Sequence, residues 1–161
     1  MKSSDRPSWK EIFFEIVEII GKRSTCDRGR MGALIVKDNR IISTGYSGSP
    51  PGMAHCDDVG HLLYKVNDGE NTTIHCFRTV HAEMNAICQA ARRGISTEGS
   101  SIYCLMFPCR ACAMSIVSCG IKEVFCLYDY HNSSYSKTIF DECNVSYHIE
   151  RGFKNYKNQK E

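Results

Sequence analysis

His81 and Glu83, in the stretch HAEMNAICQAARRG, and Cys109 and Cys112, in PCRAC, are residue types that hold transition metals and move protons. Met84, Ile87, Cys88 and Ala91 recur at spacings of three and four, so the first stretch reads as an amphipathic helix terminated by Gly94. His81 and Glu83 fall in its first turn, where backbone N–H groups lack intrahelical partners and the helix dipole is positive. Further along, Pro108 suits the start of a second helix, where its missing N–H is not needed. Cys109 and Cys112 then stand one turn apart on one face, at the end whose dipole favours thiolates.

One imidazole and two thiolates supply three ligands, and zinc held by three protein ligands keeps a fourth position for water. Zinc lowers the pKa of that water from ~15.7 to ~7, which makes hydroxide available at neutral pH. Such a nucleophile needs a neighbouring base for its proton and an acid for the leaving group. Glu83 stands beside His81 without being required as a ligand. Each half of the pattern is ambiguous alone, since CxxC with a distant histidine often builds a structural zinc knuckle and HxE recurs by chance. Together, in this order, they point to catalysis, and H-x-E followed by P-C-x-x-C is the signature of zinc nucleobase deaminases.

These ligands need elements to hold them. Trp9 to about Lys22 carries Ile12, Phe13, Ile16, Val17, Ile19 and Ile20 at helical spacing and predicts a first helix packed on a sheet. MGALIVKDNRIISTGY gives two apolar runs around Lys37–Asp38–Asn39–Arg40, a predicted β-hairpin. The polar segment from Ser47 to about Thr73 shows no clear period and is expected to be a long functional loop. After the His81–Gly94 helix come a strand in SIYCL, a helix from Pro108 to Cys119, a strand in EVFCL, a helix near Ser136–Glu142 and a strand in VSYHI. That alternation predicts crossover connections and a sheet that is parallel in its second half. The polar, basic tail RGFKNYKNQKE reads as a solvated end.

A chain of 161 residues suits one domain, and 1–161 is read as a single domain with a full core. Its net charge of +2 carries no nucleic-acid coat and no acidic tail. Glu11, Glu15 and Glu18 interrupt the only apolar run near the N-terminus, and no run of about 18 apolar residues occurs, so neither a signal peptide nor a membrane span is expected. Ten cysteines in a chain long enough to bury a core read as reduced thiols with a metal, in an intracellular, cytoplasmic protein. Cys88, Cys104, Cys119, Cys126 and Cys143 lie in apolar patterns and are expected to be small buried hydrophobes.

The segments RPSWKEIFFEI, RSTC before MGALIVKDNRI, GYSGSPPG, HCDDVGH, HCFRTVHAEMNAI, FPCRAC and GIKEVFCLYDYH resemble those of the deoxycytidylate (dCMP) deaminases of the cytidine deaminase superfamily. The similarity covers nearly the whole chain. HAE with PCxxC marks the superfamily, and the flanking segments mark the dCMP branch. The resemblance implies a three-layer α/β/α sandwich around a five-stranded mixed sheet. It implies hydrolysis of dCMP to dUMP and ammonia, with Zn2+ on His81, Cys109 and Cys112 and with Glu83 passing protons to N3 and to the departing amine.

By the same likeness, backbone at Ala82 and the side chain of Tyr130 contact the nucleotide. Arg92 serves the phosphate or a subunit contact that transmits regulation, or is simply a helix-end arginine favoured by the dipole. Ser47 stands where relatives commonly carry an asparagine that meets the sugar, and its hydroxyl has a shorter reach. A second zinc is implied on Cys26, Cys56, His75 and Cys76, tying the long loop to the start of the hairpin. The family is typically a homohexamer activated by dCTP and inhibited by dTTP. Three alternatives stay open: a deaminase that also takes dCTP, a tRNA adenosine deaminase, which would need basic and aromatic surface for flanking nucleotides, and a noncatalytic zinc-stabilised binding module, which would not need Glu83.

Overall fold

Residues 6–68, 71–129 and 133–151 are described in a computed structural model. The first helix, α1 (Trp9–Gly21), starts at a capping box: Ser8 Oγ accepts the Glu11 N–H at 3.2 Å, and the Glu11 carboxylate accepts the Ser8 N–H at 2.6 Å. β1 (Gly32–Lys37) and β2 (Arg40–Tyr46) form the expected hairpin. Its turn residues Asp38 and Asn39 have φ of 50° and 57°, as a type I′ turn requires.

The segment expected to be one long loop has structure of its own. It contains the short helix α2 (Cys56–Val59) and two antiparallel strands, β3 (Leu63–Asp68) and β4 (Asn71–Cys76), which form a separate two-stranded sheet. Leu63, Tyr64 and Ile74 are exposed, so no buried face imposes a period of two on the sequence. The excursion is closed at its neck by a two-way bridge, in which Gly48 N–H donates to Val80 O at 3.2 Å and Val80 N–H to Gly48 O at 2.9 Å.

Then α3 (Ala82–Arg92), β5 (Ser101–Met106), α4 (Arg110–Ser118), β6 (Glu123–Tyr128), α5 (Ser134–Glu142) and β7 (Ser146–Ile149) alternate as the sequence predicts. The main sheet is mixed, in the order β2-β1-β5-β6-β7. β1 is antiparallel to both neighbours, and β5, β6 and β7 are parallel. Strand alternation sends Ala33, Ile35, Ile102, Cys104, Val124 and Cys126 to the face covered by α3, α4 and α5. Leu34, Val36, Tyr103, Leu105 and Leu127 face α1, where Phe13, Phe14 and Val17 meet them. The result is a three-layer α/β/α sandwich, each large apolar side chain contributing about 1.5–3 kcal/mol on full burial.

Two glycines set how closely the helices lie on the sheet. A Cβ at Gly45 would collide with Ala82 O and Ala86 N, and one at Gly32 with Val17 O. Ser43 Oγ donates to Ala86 O at 2.7 Å and Asn85 Nδ2 to Tyr46 O at 2.8 Å, so α3 is fixed on β2 along its first two turns.

The buried face of α3 is Ala82, Glu83, Ala86, Ile87 and Ala90, rotated from the Met84–Ile87–Cys88–Ala91 stripe. Small alanines are what the close approach to Gly45 admits, and bulkier residues are turned away from it. Cys104 and Cys126 are buried as expected and Cys119 is half-buried, but Cys88 and Cys143 are exposed. Cys88 lies off the packed face of α3, and Cys143 caps the end of α5 just before Asn144, whose φ is 54°. Among the described residues, no helix is long and apolar enough to cross a membrane. The basic tail lies outside the described residues beyond Arg151.

Candidate active site

His81 is the N-cap of α3 and Cys109 the N-cap of α4, so the positive ends of two helices converge on one point. Cys112, three residues into α4, completes a group of three potential ligands. His81 Nδ1 lies 3.5 Å from Cys109 Sγ and 3.5 Å from Cys112 Sγ. Zn–N bonds of ~2.0–2.1 Å and Zn–S bonds of ~2.3 Å in a tetrahedron separate N from S by roughly 3.6 Å, so the spacing fits zinc without rearrangement. Three ligands leave one tetrahedral position open.

The protons of this group are already unevenly shared. The Cys109 thiol is brought down to about 3 by hydrogen bonding from Cys112 and, against the effect of burial, from His81. Cys112 is pushed up because it donates to Cys109 and is buried. His81 is pushed up to about 9, chiefly by its hydrogen bond to Cys109. A divalent cation entering the group displaces these protons, which is the coupling expected of thiolate and imidazole ligands.

Glu83 is buried at 8% exposure, with Oε2 3.8 Å from Cys112 Sγ. Burial raises its carboxyl above the usual range, and the nearby His81 charge opposes the rise. A carboxyl shifted this way keeps its proton to higher pH than an exposed one, which suits it to carrying a proton. Ala82 is buried between them on the first turn of α3.

A cleft of about 560 Å³ opens onto this group. His81, Ala82, Glu83 and Cys109 form one part of its lining, Phe107 and Met106 a second, and Arg28, His75 and Phe77 a third. Arg28, which the motifs did not single out, is an arginine on the cleft wall, and its Nη2 donates to Ile74 O at 3.0 Å across the opening. Ser47 also borders the cleft, but its hydroxyl is occupied. It donates to Gly29 O at 2.6 Å, accepts the Met31 N–H at 3.3 Å and lies 2.9 Å from Ser24 Oγ. That fills the capacity of one hydroxyl and makes Ser47 a tie between β2 and the 24–31 loop. Arg92 is exposed in the last turn of α3, roughly 16 Å along the helix from His81, and is not among the cleft residues. Tyr130 lies outside the described residues.

A second potential metal group comprises Cys26, Cys56, His61 and Cys76. Cys26 Sγ lies 3.6 Å from His61 Nδ1, and Cys56 Sγ lies 3.5 Å from Cys76 Sγ, spacings that again suit a zinc tetrahedron. The histidine here is His61 and not the expected His75. Alternation along β4 turns His75 to the side opposite Cys76, where its Nε2 lies 2.9 Å from Thr73 Oγ1. The spacing Cys56-x4-His61 in HCDDVGH was the available signal. Burial pushes Cys56 up to about 12. Burial would also raise Cys76, but backbone hydrogen bonds from Arg78 and Leu62 outweigh it and bring that thiol to about 6. Four potential ligands would close this group around a metal, whereas the three of the first would leave a position open.

Residues 7–128 match the family described as the cytidine and deoxycytidylate deaminase zinc-binding region. ComE operon protein 2 of Bacillus subtilis is 41% identical over 142 residues, covering 88% of this chain and 71% of the relative. Deoxycytidylate deaminase of Saccharomyces cerevisiae is 32% identical over 88% of this chain, which spans 44% of the yeast protein's length. Among solved structures, the dCMP deaminase of cyanophage S-TIM5 in complex with dCMP and dUMP superposes with a TM-score of 0.71 at 25% identity, covering 89% of this chain and 98% of that one.

Proposed function

We propose that this chain, which belongs to the cytidine and deoxycytidylate deaminase family, hydrolyses dCMP to dUMP and ammonia. The observation that carries the reading is the open three-ligand group with buried Glu83 against it, at the inner end of a nucleotide-sized cleft. Further support comes from relatives named deoxycytidylate deaminase and from the dCMP and dUMP complex of the S-TIM5 enzyme.

Zinc on His81, Cys109 and Cys112, when bound, activates a water for attack at C4 of the cytosine. Glu83 takes the two protons of that water in turn, delivering the first to N3 and passing the second to the departing amine, so its carboxyl returns to its starting state. Burial keeps bulk water from short-circuiting these transfers. Backbone at Ala82 borders the base, and Arg28 is the cleft cation suited to the 5′-phosphate. Arg92 is left for a subunit or effector contact. We also read Cys26, Cys56, His61 and Cys76 as a second, structural zinc centre.

We take 1–161 as one deaminase domain, working in the cytoplasm as its free cysteines suit, assembled as a homohexamer, activated by dCTP and inhibited by dTTP. Deamination of dCMP, dCTP, deoxycytidine and CMP, each with and without added dCTP, tests the reading. Preferred turnover of dCMP, with a sigmoidal curve that dCTP makes hyperbolic, is expected. Turnover of dCTP alone keeps the zinc chemistry and overturns the substrate.

A further inference from the structure

The second metal group carries a contact that a bare set of ligands would lack. His61 Nε2 lies 3.0 Å from Asp27 Oδ1, while Nδ1 of the same ring faces Cys26 Sγ at 3.6 Å. The two ring nitrogens point to different sides, so the partner of one decides the state of the other. A carboxylate at Nε2 demands a proton there, because a lone pair in that place would face the carboxylate's own negative charge. The Nδ1 lone pair is then left for a metal, on the side where the three thiols lie.

Asp27 follows Cys26 directly in sequence. One loop therefore supplies both a ligand and the group that aims a second ligand, drawn from 35 residues further on. His61 and Asp27 have side-chain exposures of 22% and 43%, so their pairing alone contributes little to fold stability. Its effect belongs to the metal: a carboxylate behind a ligating imidazole fixes ring orientation and raises ligand basicity.

We propose that Asp27 is the positioning residue of the second centre: by pairing with Nε2 of His61 it holds Nδ1 toward Cys26, Cys56 and Cys76 and raises the affinity of that group for zinc. This rests on the reading of those four residues as a zinc site. It does not involve the first centre, whose histidine has a different neighbourhood. Cys26 and Cys76 also line the cleft, so the same zinc would hold two parts of the cleft wall together.

The test uses the full chain loaded with zinc. Zinc per chain is counted by elemental analysis, and release is then followed against a chromophoric chelator for wild type, Asp27→Ala, Asp27→Asn and His61→Ala. Wild type is expected to hold two zinc ions. Asp27→Ala is expected to release one of them at about 10- to 100-fold weaker affinity, with the release of the other unchanged. Asp27→Asn is expected between the two, because an amide oxygen still accepts the Nε2–H but carries no charge, and His61→Ala is expected to hold one zinc only. If Asp27→Ala does not fold, Asp27→Asn decides alone, and a release curve several-fold weaker than wild type is the supporting result. Curves from both Asp27 variants, or from Asp27→Asn alone, that overlay wild type overturn the role of Asp27 and leave the second centre standing. A wild-type chain that holds one zinc and takes up no second on titration overturns the centre and the role together.

Discussion

The carboxylate of Glu83 and the thiol of Cys112 meet at 3.8 Å although they sit on different helices, two and three residues past the N-caps of α3 and α4. On the proposed reading, the carboxylate that moves protons thus touches a thiol that would hold the metal, without being part of the ligand set. Proton transfer and metal retention are therefore separable by substitution.

Glu83→Gln is expected to retain zinc at the first centre and to lose at least about a hundredfold in dCMP turnover, the scale of a positioned acid–base group. Elemental analysis paired with an ammonia-release assay checks both halves. Wild-type turnover in the variant would remove Glu83 from the mechanism.

Cys112→Ala has the converse expectation. Loss of one of three ligands should cut bound zinc by one ion per chain and abolish turnover, while the second centre keeps its metal. A chelator titration of the variant that still shows two ions of undiminished affinity would place the catalytic metal elsewhere.

Gly45→Ala adds a methyl where Ala82 O and Ala86 N already fill the space. Overpacking at such a helix–strand contact is expected to cost about 1–3 kcal/mol and to displace the first turn of α3 with His81 and Glu83. Denaturant melts should show the loss, with turnover falling by more than the folded fraction does. An unchanged midpoint would mean that α3 shifts freely.

At low pH the capping box of α1 should weaken in a set direction. Hydrogen bonds from the Ser8 hydroxyl, and then from its backbone N–H, hold the Glu11 carboxyl below its ordinary value of 4.5. A depressed carboxyl stabilises the fold above its unfolded pKa, and the contribution is lost as pH falls through the folded value. The Tm difference between wild type and Glu11→Gln should accordingly narrow as pH drops below 4.5. A difference that widens there contradicts the assignment.

Thiol chemistry should separate the cysteines. Cys88 and Cys143 are exposed and should react rapidly with an aromatic disulfide reagent in native, zinc-loaded protein. Cys126, which burial pushes up to about 12, and Cys104, raised in the same direction by burial, should react only on unfolding. A Cys88→Ser, Cys143→Ser double variant should lose the fast phase and keep its metal.

What the sequence made legible follows from where local chemistry and burial agree. The HAE and PCRAC helix starts, the Asp38–Asn39 turn and the alternation from β5 to β7 are each specified by a few adjacent residues and one packed face. The β3–β4 ribbon escaped notice because exposed Leu63, Tyr64 and Ile74 break the usual link between hydropathy and strand face. Ligand choice between His61 and His75 depends on which side of β4 each residue meets, a matter of tertiary placement. Cys88 was misplaced because an alanine face tight against Gly45 has little hydropathy signal, and its bulkier neighbours drew the stripe toward themselves. Arg28 gave no signal at all, since Arg23, Arg28 and Arg30 share one polar loop and Arg28 itself stands in no period or motif.

The bridge between Gly48 and Val80 separates two parts of one chain. Residues 49–79 leave the sandwich at that bridge and are tied back to the 25–28 loop, where Asp57 N–H donates to Thr25 O at 3.3 Å and Arg28 Nη2 to Ile74 O at 3.0 Å, so changes in the segments between these ties put little strain on the sheet. His81, Glu83 and the PCRAC helix lie beyond that neck and need not follow such changes. Since His75, Cys76 and Phe77 of the cleft wall come from this excursion, its sequence can reshape that wall without moving His81, Glu83, Cys109 or Cys112.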